Sequence, residues 1–178
     1  MKNSYYFVQG IFILISSIFL LETNSVNAAE KVVFRYKIFS QSLSVKELTD
    51  FSETGKVSSS LSYYLEKTNQ DPQTVRDVLN EEVKVSTTTL DKTLNSKIGE
   101  FLLDRISQTI HTSSGRADKK ALRSAIVLSS AEDNQVSLIE IIQNYPTKEV
   151  YVDAENLART YNQLSILTEG LRGWLGIL

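Results

Sequence analysis

Lys31-Val32-Val33-Phe34-Arg35-Tyr36-Lys37-Ile38-Phe39, followed closely by Ser44-Val45-Lys46-Glu47, holds both kinds of element from which this chain is built. Val32, Phe34, Tyr36 and Ile38 alternate with Arg35 and Lys37, the period-two pattern of a half-buried strand. The pattern then changes. Ser44 and Glu47 have the spacing of a capping box, in which serine and glutamate side chains satisfy orphan amides at a helix start. Val45, Leu48 and Phe51 give the ensuing helix an apolar face, and Gly55 is placed to end it.

The same grammar continues downstream. Ser59–Thr68 reads as a helix with Leu61, Tyr64 and Leu65 inward. Asp71-Pro72 starts another, since Asp is a good N-cap and Pro is tolerated at the first helical position. Its apolar face is Val75, Val78 and Leu79, and Val83–Val85 is a short extended piece. Ser86 or Thr87 caps a helix carrying Leu90 and Leu94. Ile98, Leu102, Ile106 and Ile110, widened by Phe101 and Leu103, predict one amphipathic core helix. After a turn at Thr112–Gly115, residues Ala117–Ala131 predict a helix with Ala121, Leu122, Ala125, Ile126 and Leu128 inward.

Ser137-Leu138-Ile139-Glu140 is a second capping box, opening a helix that Pro146 stops. Glu149–Val152 is extended, and Asp153 caps a last helix bearing Leu157, Tyr161, Leu164 and Leu167. Tyr63, Tyr64, Tyr145, Tyr151 and Tyr161 read as core residues with polar tips. Seven or eight helical segments with two or three very short strands predict a mainly α, single compact multi-helix domain.

The first 28 residues read as an export signal. Lys2 precedes the apolar run Phe7–Leu21, and Val26-Asn27-Ala28 offers small residues at a cleavage site after Ala28. The competing reading of Phe7–Leu21 is an uncleaved membrane anchor, although the run is shorter than the roughly 20 apolar residues that a membrane span requires. Cleavage leaves about 150 of 178 residues, enough for one core. The chain has no cysteine, so an exported form depends on packing alone. A periplasmic or other extracytoplasmic destination is expected. The net charge of −2 argues against nucleic acid as a partner.

Catalytic chemistry is sparsely signalled. The single histidine, His111, precedes Thr112-Ser113-Ser114. A Ser113 or Ser114 nucleophile with His111 as base, oriented by Asp104 or Asp118, is the arrangement to test. A histidine in the last turn of a helix also caps free carbonyls. No Gly-x-Ser-x-Gly elbow occurs. Ser129–Glu140 can be set in a calcium-loop frame with Asp133 at position five and Glu140 at twelve, but Ala131 sits at position three and offers no side-chain oxygen. One His and no Cys cannot build a zinc tetrahedron. No cofactor is expected. Glu81-Glu82 and the cluster Arg116, Lys119, Lys120 and Arg123 read as solvated surface.

Three stretches together resemble a known family. They are Val33–Tyr36 with Ser42–Leu48, then Ile110–Asp118, and Ala121–Ala125 leading to Asn144-Tyr145-Pro146. They are similar to the cyanobacterial domain of unknown function 1400, over about Glu30 to Leu167. The resemblance implies a helical domain that follows a signal peptide and precedes an α/β-hydrolase domain. This sequence ends after Leu178, where such a domain would begin, and the resemblance assigns no functional residue.

Residues 29–168 are therefore expected to form the helical domain, and 169–178 an apolar, glycine-containing tail. In that tail Leu171, Trp174, Leu175 and Leu178 are interface candidates. The expected function is an exported, non-catalytic module that packs against or regulates an α/β-hydrolase domain in another chain. Two alternatives accompany it: a hydrolase or esterase-related enzyme, or a remnant of one, and a peripheral membrane protein attached through the C-terminal tail.

Overall fold

In the computed structural model, residues 28–156 are described. The predicted leader, the body of the last helix (Leu157, Tyr161, Leu164, Leu167) and the tail candidates Leu171, Trp174, Leu175 and Leu178 lie outside those residues.

The opening stretch is a hairpin. Strand β1 (Lys31–Tyr36) turns at Lys37-Ile38 into β2 (Phe39–Ser44), with Tyr36 opposite Phe39. The alternation therefore breaks at Ile38, which stands 92% exposed at the turn instead of inward. Helix α1 (Val45–Thr54) follows from the Ser44–Glu47 capping box and ends at Gly55, whose φ of 74° suits a residue without Cβ. Next come α2 (Ser59–Thr68), α3 (Pro72–Asn80), β3 (Val83–Lys84) and α4 (Thr87–Leu94). Ser58, Asp71 and Ser86 cap these three helices with their side chains.

The predicted long helix through Ile110 is shorter. Helix α5 covers Lys97–Ile106, and Ile110 belongs to β4 (Ile110–His111). Within α5, Leu102, Leu103 and Ile106 are buried, while Ile98 and Phe101 are exposed. Val78, Leu128 and Tyr63 are likewise exposed, contrary to the inward positions read from periodicity. Each lies at the edge of an apolar stripe whose centre alone meets a neighbour. Helix α6 is Asp118–Ser129, β5 is Gln135–Val136, α7 is Leu138–Gln143 and β6 is Glu149–Asp153.

The mainly helical class holds, with seven complete helices among the described residues and a further one starting at 154–156. The strands form more sheet than expected: a four-stranded sheet in the order β2-β1-β6-β4, and a small pair β3-β5. Strands β1 and β6 are parallel, and the other pairs antiparallel. Val32, Phe34, Leu43, Ile110, Val150 and Val152 line one face of the larger sheet and are buried. They join Leu48 and Phe51 of α1, Leu122 and Ile126 of α6, and Ile142 of α7 in one core cluster. The opposite sheet face carries the polar alternates.

Candidate functional site

Strand alternation decides what that second face contains. Tyr151 of β6 is in register with Val33 on one side and His111 on the other, and Asp153 is in register with Arg35. Residues paired across strands point to the same face. The Arg35 guanidinium carbon accordingly lies 4.3 Å from the Tyr151 ring centroid. On the neighbouring strand His111 stacks on Tyr151, with centroids 5.7 Å apart and planes 18° from parallel. Arginine, tyrosine and histidine thus form one layer across three strands.

His111 is in β4, not at a helix end as the sequence suggested, so it caps no helix. Its Nδ1 lies 2.8 Å from the Thr112 carbonyl, to which it donates, and its Nε2 lies 3.3 Å from Asp153 Oδ2. Neither of these partners is a serine hydroxyl. Ser113 and Ser114 are exposed. The Ser114 hydroxyl is 3.1 Å from Thr112 Oγ1 and accepts from the Arg116 amide at 3.3 Å.

Asp118 also has a different task from orienting a base. Its Oδ1 accepts from both the Thr112 amide, at 2.9 Å, and the Thr112 hydroxyl, at 2.7 Å. Those bonds close the loop Thr112–Asp118. Within it Gly115 and Ala117 have φ of 64° and 58°, and α6 begins without a side-chain cap. Asp104 faces Lys119 at 3.5 Å. Tyr145 lies fully buried, and its hydroxyl has no hydrogen-bond partner among the described residues. Burial first, and the Asp118 charge second, raise its phenol well above the usual tyrosine range.

The calcium candidates are held by their own chain. Asp133 accepts from the Gln135 amide and side chain at 2.9 and 3.1 Å. Glu140 accepts from the Ser137 amide and hydroxyl, both at 2.8 Å, closing the second capping box. Among the described residues no group of three or more His, Asp or Glu is placed to hold a metal ion. Open grooves flank α2, lined by Val57, Ser62, Tyr63 and Glu66 among others, and His111, Ser113 and Ser114 line neither.

Sequence reasoning missed Arg35, Tyr151 and Asp153 as neighbours of His111. The alternation in β1 and β6 marked their faces, but the pairing of strands more than 100 residues apart in the chain brings them together.

The family described as "Alpha/beta hydrolase of unknown function (DUF1400)" matches residues 28–153, a span that includes the stacked layer and the Thr112–Asp118 loop. The chain belongs to that family. No curated protein and no solved structure matches it. Among the described residues of this DUF1400 chain, β1–β6 is the parallel strand pair. An α/β hydrolase of the usual kind carries its nucleophile on a strand-to-helix elbow above its sheet. Here the four-stranded sheet instead presents Arg35, Tyr151, His111 and Asp153 across one face.

Proposed function

We propose that this chain is an exported, non-catalytic helical module that packs against or regulates an α/β-hydrolase domain supplied by another chain. One observation carries the reading: the single imidazole is engaged by the Thr112 carbonyl and Asp153, while the Ser114 hydroxyl turns to Thr112 and Arg116. A hydrolase triad needs the opposite arrangement, a serine hydroxyl on the imidazole. The absent Gly-x-Ser-x-Gly elbow supports the same view, and the family description supplies the hydrolase connection. Leu171, Trp174, Leu175 and Leu178 are the proposed apolar anchors. Export proceeds by cleavage after Ala28, which the mass of the secreted protein tests.

The direct test titrates the purified chain with the hydrolase domain of a longer family member, followed by calorimetry. Saturable binding that weakens when Trp174 and Leu175 become alanine is expected. Absence of binding at about 100 µM overturns the module reading, because that corresponds to less than roughly 5.5 kcal/mol of affinity. The His111–Asp153 contact favours a second reading, an unorthodox esterase. Ester hydrolysis that disappears in His111→Ala would establish it and displace the first.

A further inference from the structure

We propose that the tip of the β1–β2 hairpin is a lipid-contacting element that seats on an anionic membrane surface. The proposal is independent of the hydrolase-module reading and of the C-terminal tail. Its starting point is a turn with the wrong residues for a purely structural turn. Two-residue hairpin turns favour Gly, Asn or Asp, because positive φ is required. Here Lys37 adopts φ of 54°, and the next residue is Ile38, 92% exposed. Phe39 beside it is 40% exposed, and Tyr36 faces Phe39 across the turn. A β-branched apolar side chain at that position contributes almost nothing to the core.

Charge points to the occupant. From Lys31 to Lys46 the sequence holds four cations and no carboxylate, in a chain whose net charge is −2. Lys31 and Lys46, at the far end of the hairpin, face Glu149 and Asp50. Arg35 and Lys37, at the near end, lie over the aromatic rings of Tyr151 and Tyr36. The tip is convex: one isoleucine projects, with aromatic rings and basic heads behind it. A bilayer interface accepts that shape. The apolar tip enters the acyl boundary, tyrosine and phenylalanine sit at headgroup depth, and long basic side chains reach the phosphates. A protein partner would instead need a pocket of matching depth. Among the described residues no helix is long and apolar enough to cross a membrane, so the contact is peripheral.

Burying one isoleucine changes partitioning by roughly tenfold to a hundredfold, and each cation near an anionic surface by about fivefold. The test is flotation of the exported protein with vesicles of 30% phosphatidylglycerol in phosphatidylcholine, and with phosphatidylcholine alone. Ile38→Asn, which suits a turn, and Lys37→Glu are compared with the parent, with circular dichroism as the folding control. Binding to anionic vesicles that drops at least tenfold in Ile38→Asn and at least fivefold in Lys37→Glu is expected.

Because the chain has no cysteine, Ser40→Cys carrying an environment-sensitive dye reports the tip alone. Its emission shifts to the blue on anionic vesicles if the hairpin inserts. Vesicle binding with no shift and no loss in either variant overturns the proposal, as does failure of the parent to bind. A shift induced by a hydrolase domain but not by vesicles overturns it in favour of a protein-docking tip.

Discussion

Asp118 accepts both the amide and the hydroxyl of Thr112 through one carboxylate oxygen, at 2.9 and 2.7 Å. The pair closes a loop whose Ala117 has φ of 58°, in the region that side chains disfavour. Hydrogen bonds to an ionised acceptor contribute about 1.5–3 kcal/mol. Asp118→Ala should therefore lower unfolding stability by about 2–3 kcal/mol in a urea titration. Asp118→Asn keeps an acceptor and should lose about half as much. No loss in Asp118→Asn would show that the carboxylate charge contributes nothing to the closure, and equal losses in the two variants would show that a neutral acceptor cannot replace it.

Helix α5 approaches the end of α4 through Gly99. A Cβ there would stand 2.1 Å from the Thr93 carbonyl oxygen and 2.4 Å from Leu94 Cα, both backbone atoms. Backbone cannot move aside as a flexible side chain can. Gly99→Ala should cost about 3 kcal/mol or more, although alanine favours helices by about 1 kcal/mol relative to glycine. A thermal midpoint equal to or above the parent's would contradict this packing.

Two buried tyrosines bring an alkaline weakness. Burial, with a smaller contribution from Tyr36, pushes the Tyr64 phenol up to about 12. The folded value lies above the unfolded value of about 10. The stability linked to this group is therefore complete below pH 10 and is lost as pH rises from about 10 to 12. Tyr145 behaves in the same direction. Both hydroxyls lack partners among the described residues. Tyr145→Phe should be neutral or stabilising by about 1 kcal/mol at pH 7, and the Tyr64→Phe, Tyr145→Phe double variant should resist alkaline unfolding. Urea titrations at pH 7 and at alkaline pH check both statements, and absorbance at 295 nm follows the tyrosine ionisations in the parent.

At acid pH the first capping box weakens. Hydrogen bonds from the Ser44 amide and then its hydroxyl lower the Glu47 carboxyl below the usual glutamate range. Its contribution is present above the unfolded value of about 4.3 and is lost as pH falls through the lower folded value. Glu47 is only partly buried, and glutamine at this capping-box position still accepts from the Ser44 amide, so Glu47→Gln should cost only a few tenths of a kcal/mol at pH 7. Ser44→Ala should cost about 1 kcal/mol. Chemical denaturation at pH 7 and pH 3 should show the Glu47→Gln difference shrinking at the lower pH.

The aromatic layer offers a coupling measurement. A double-mutant cycle on His111 and Tyr151 should give about 0.5–1.5 kcal/mol, and one on Arg35 and Tyr151 about 0.5–1 kcal/mol. Additive losses would mean that the rings are neighbours without attraction.

Much of this fold is legible in local sequence. Ser44 and Glu47, Ser137 and Glu140, and Asp71-Pro72 act through hydrogen bonds that span only a few residues, so their spacing alone places three helix starts. Gly55 ends α1 for an equally local reason, its positive φ. Burial is a different matter. Ile98 and Phe101 satisfy a helical period yet remain exposed, because a stripe is buried only where another element covers it. Ile38 fits an alternating strand yet tops a turn, since alternation does not reveal where a chain reverses.

Apart from the adjacent Thr112 carbonyl, the environment of His111 depended on tertiary structure. Sequence supplied one imidazole beside two serines. Pairing of β6 with β1 and β4 supplied Tyr151, Asp153 and Arg35 from distant segments, through backbone hydrogen bonds that carry no local signature. The starts of α1, α3 and α7 followed from short-range capping chemistry; strand partners, and with them the polar face of the sheet, followed from which apolar surfaces could be buried together.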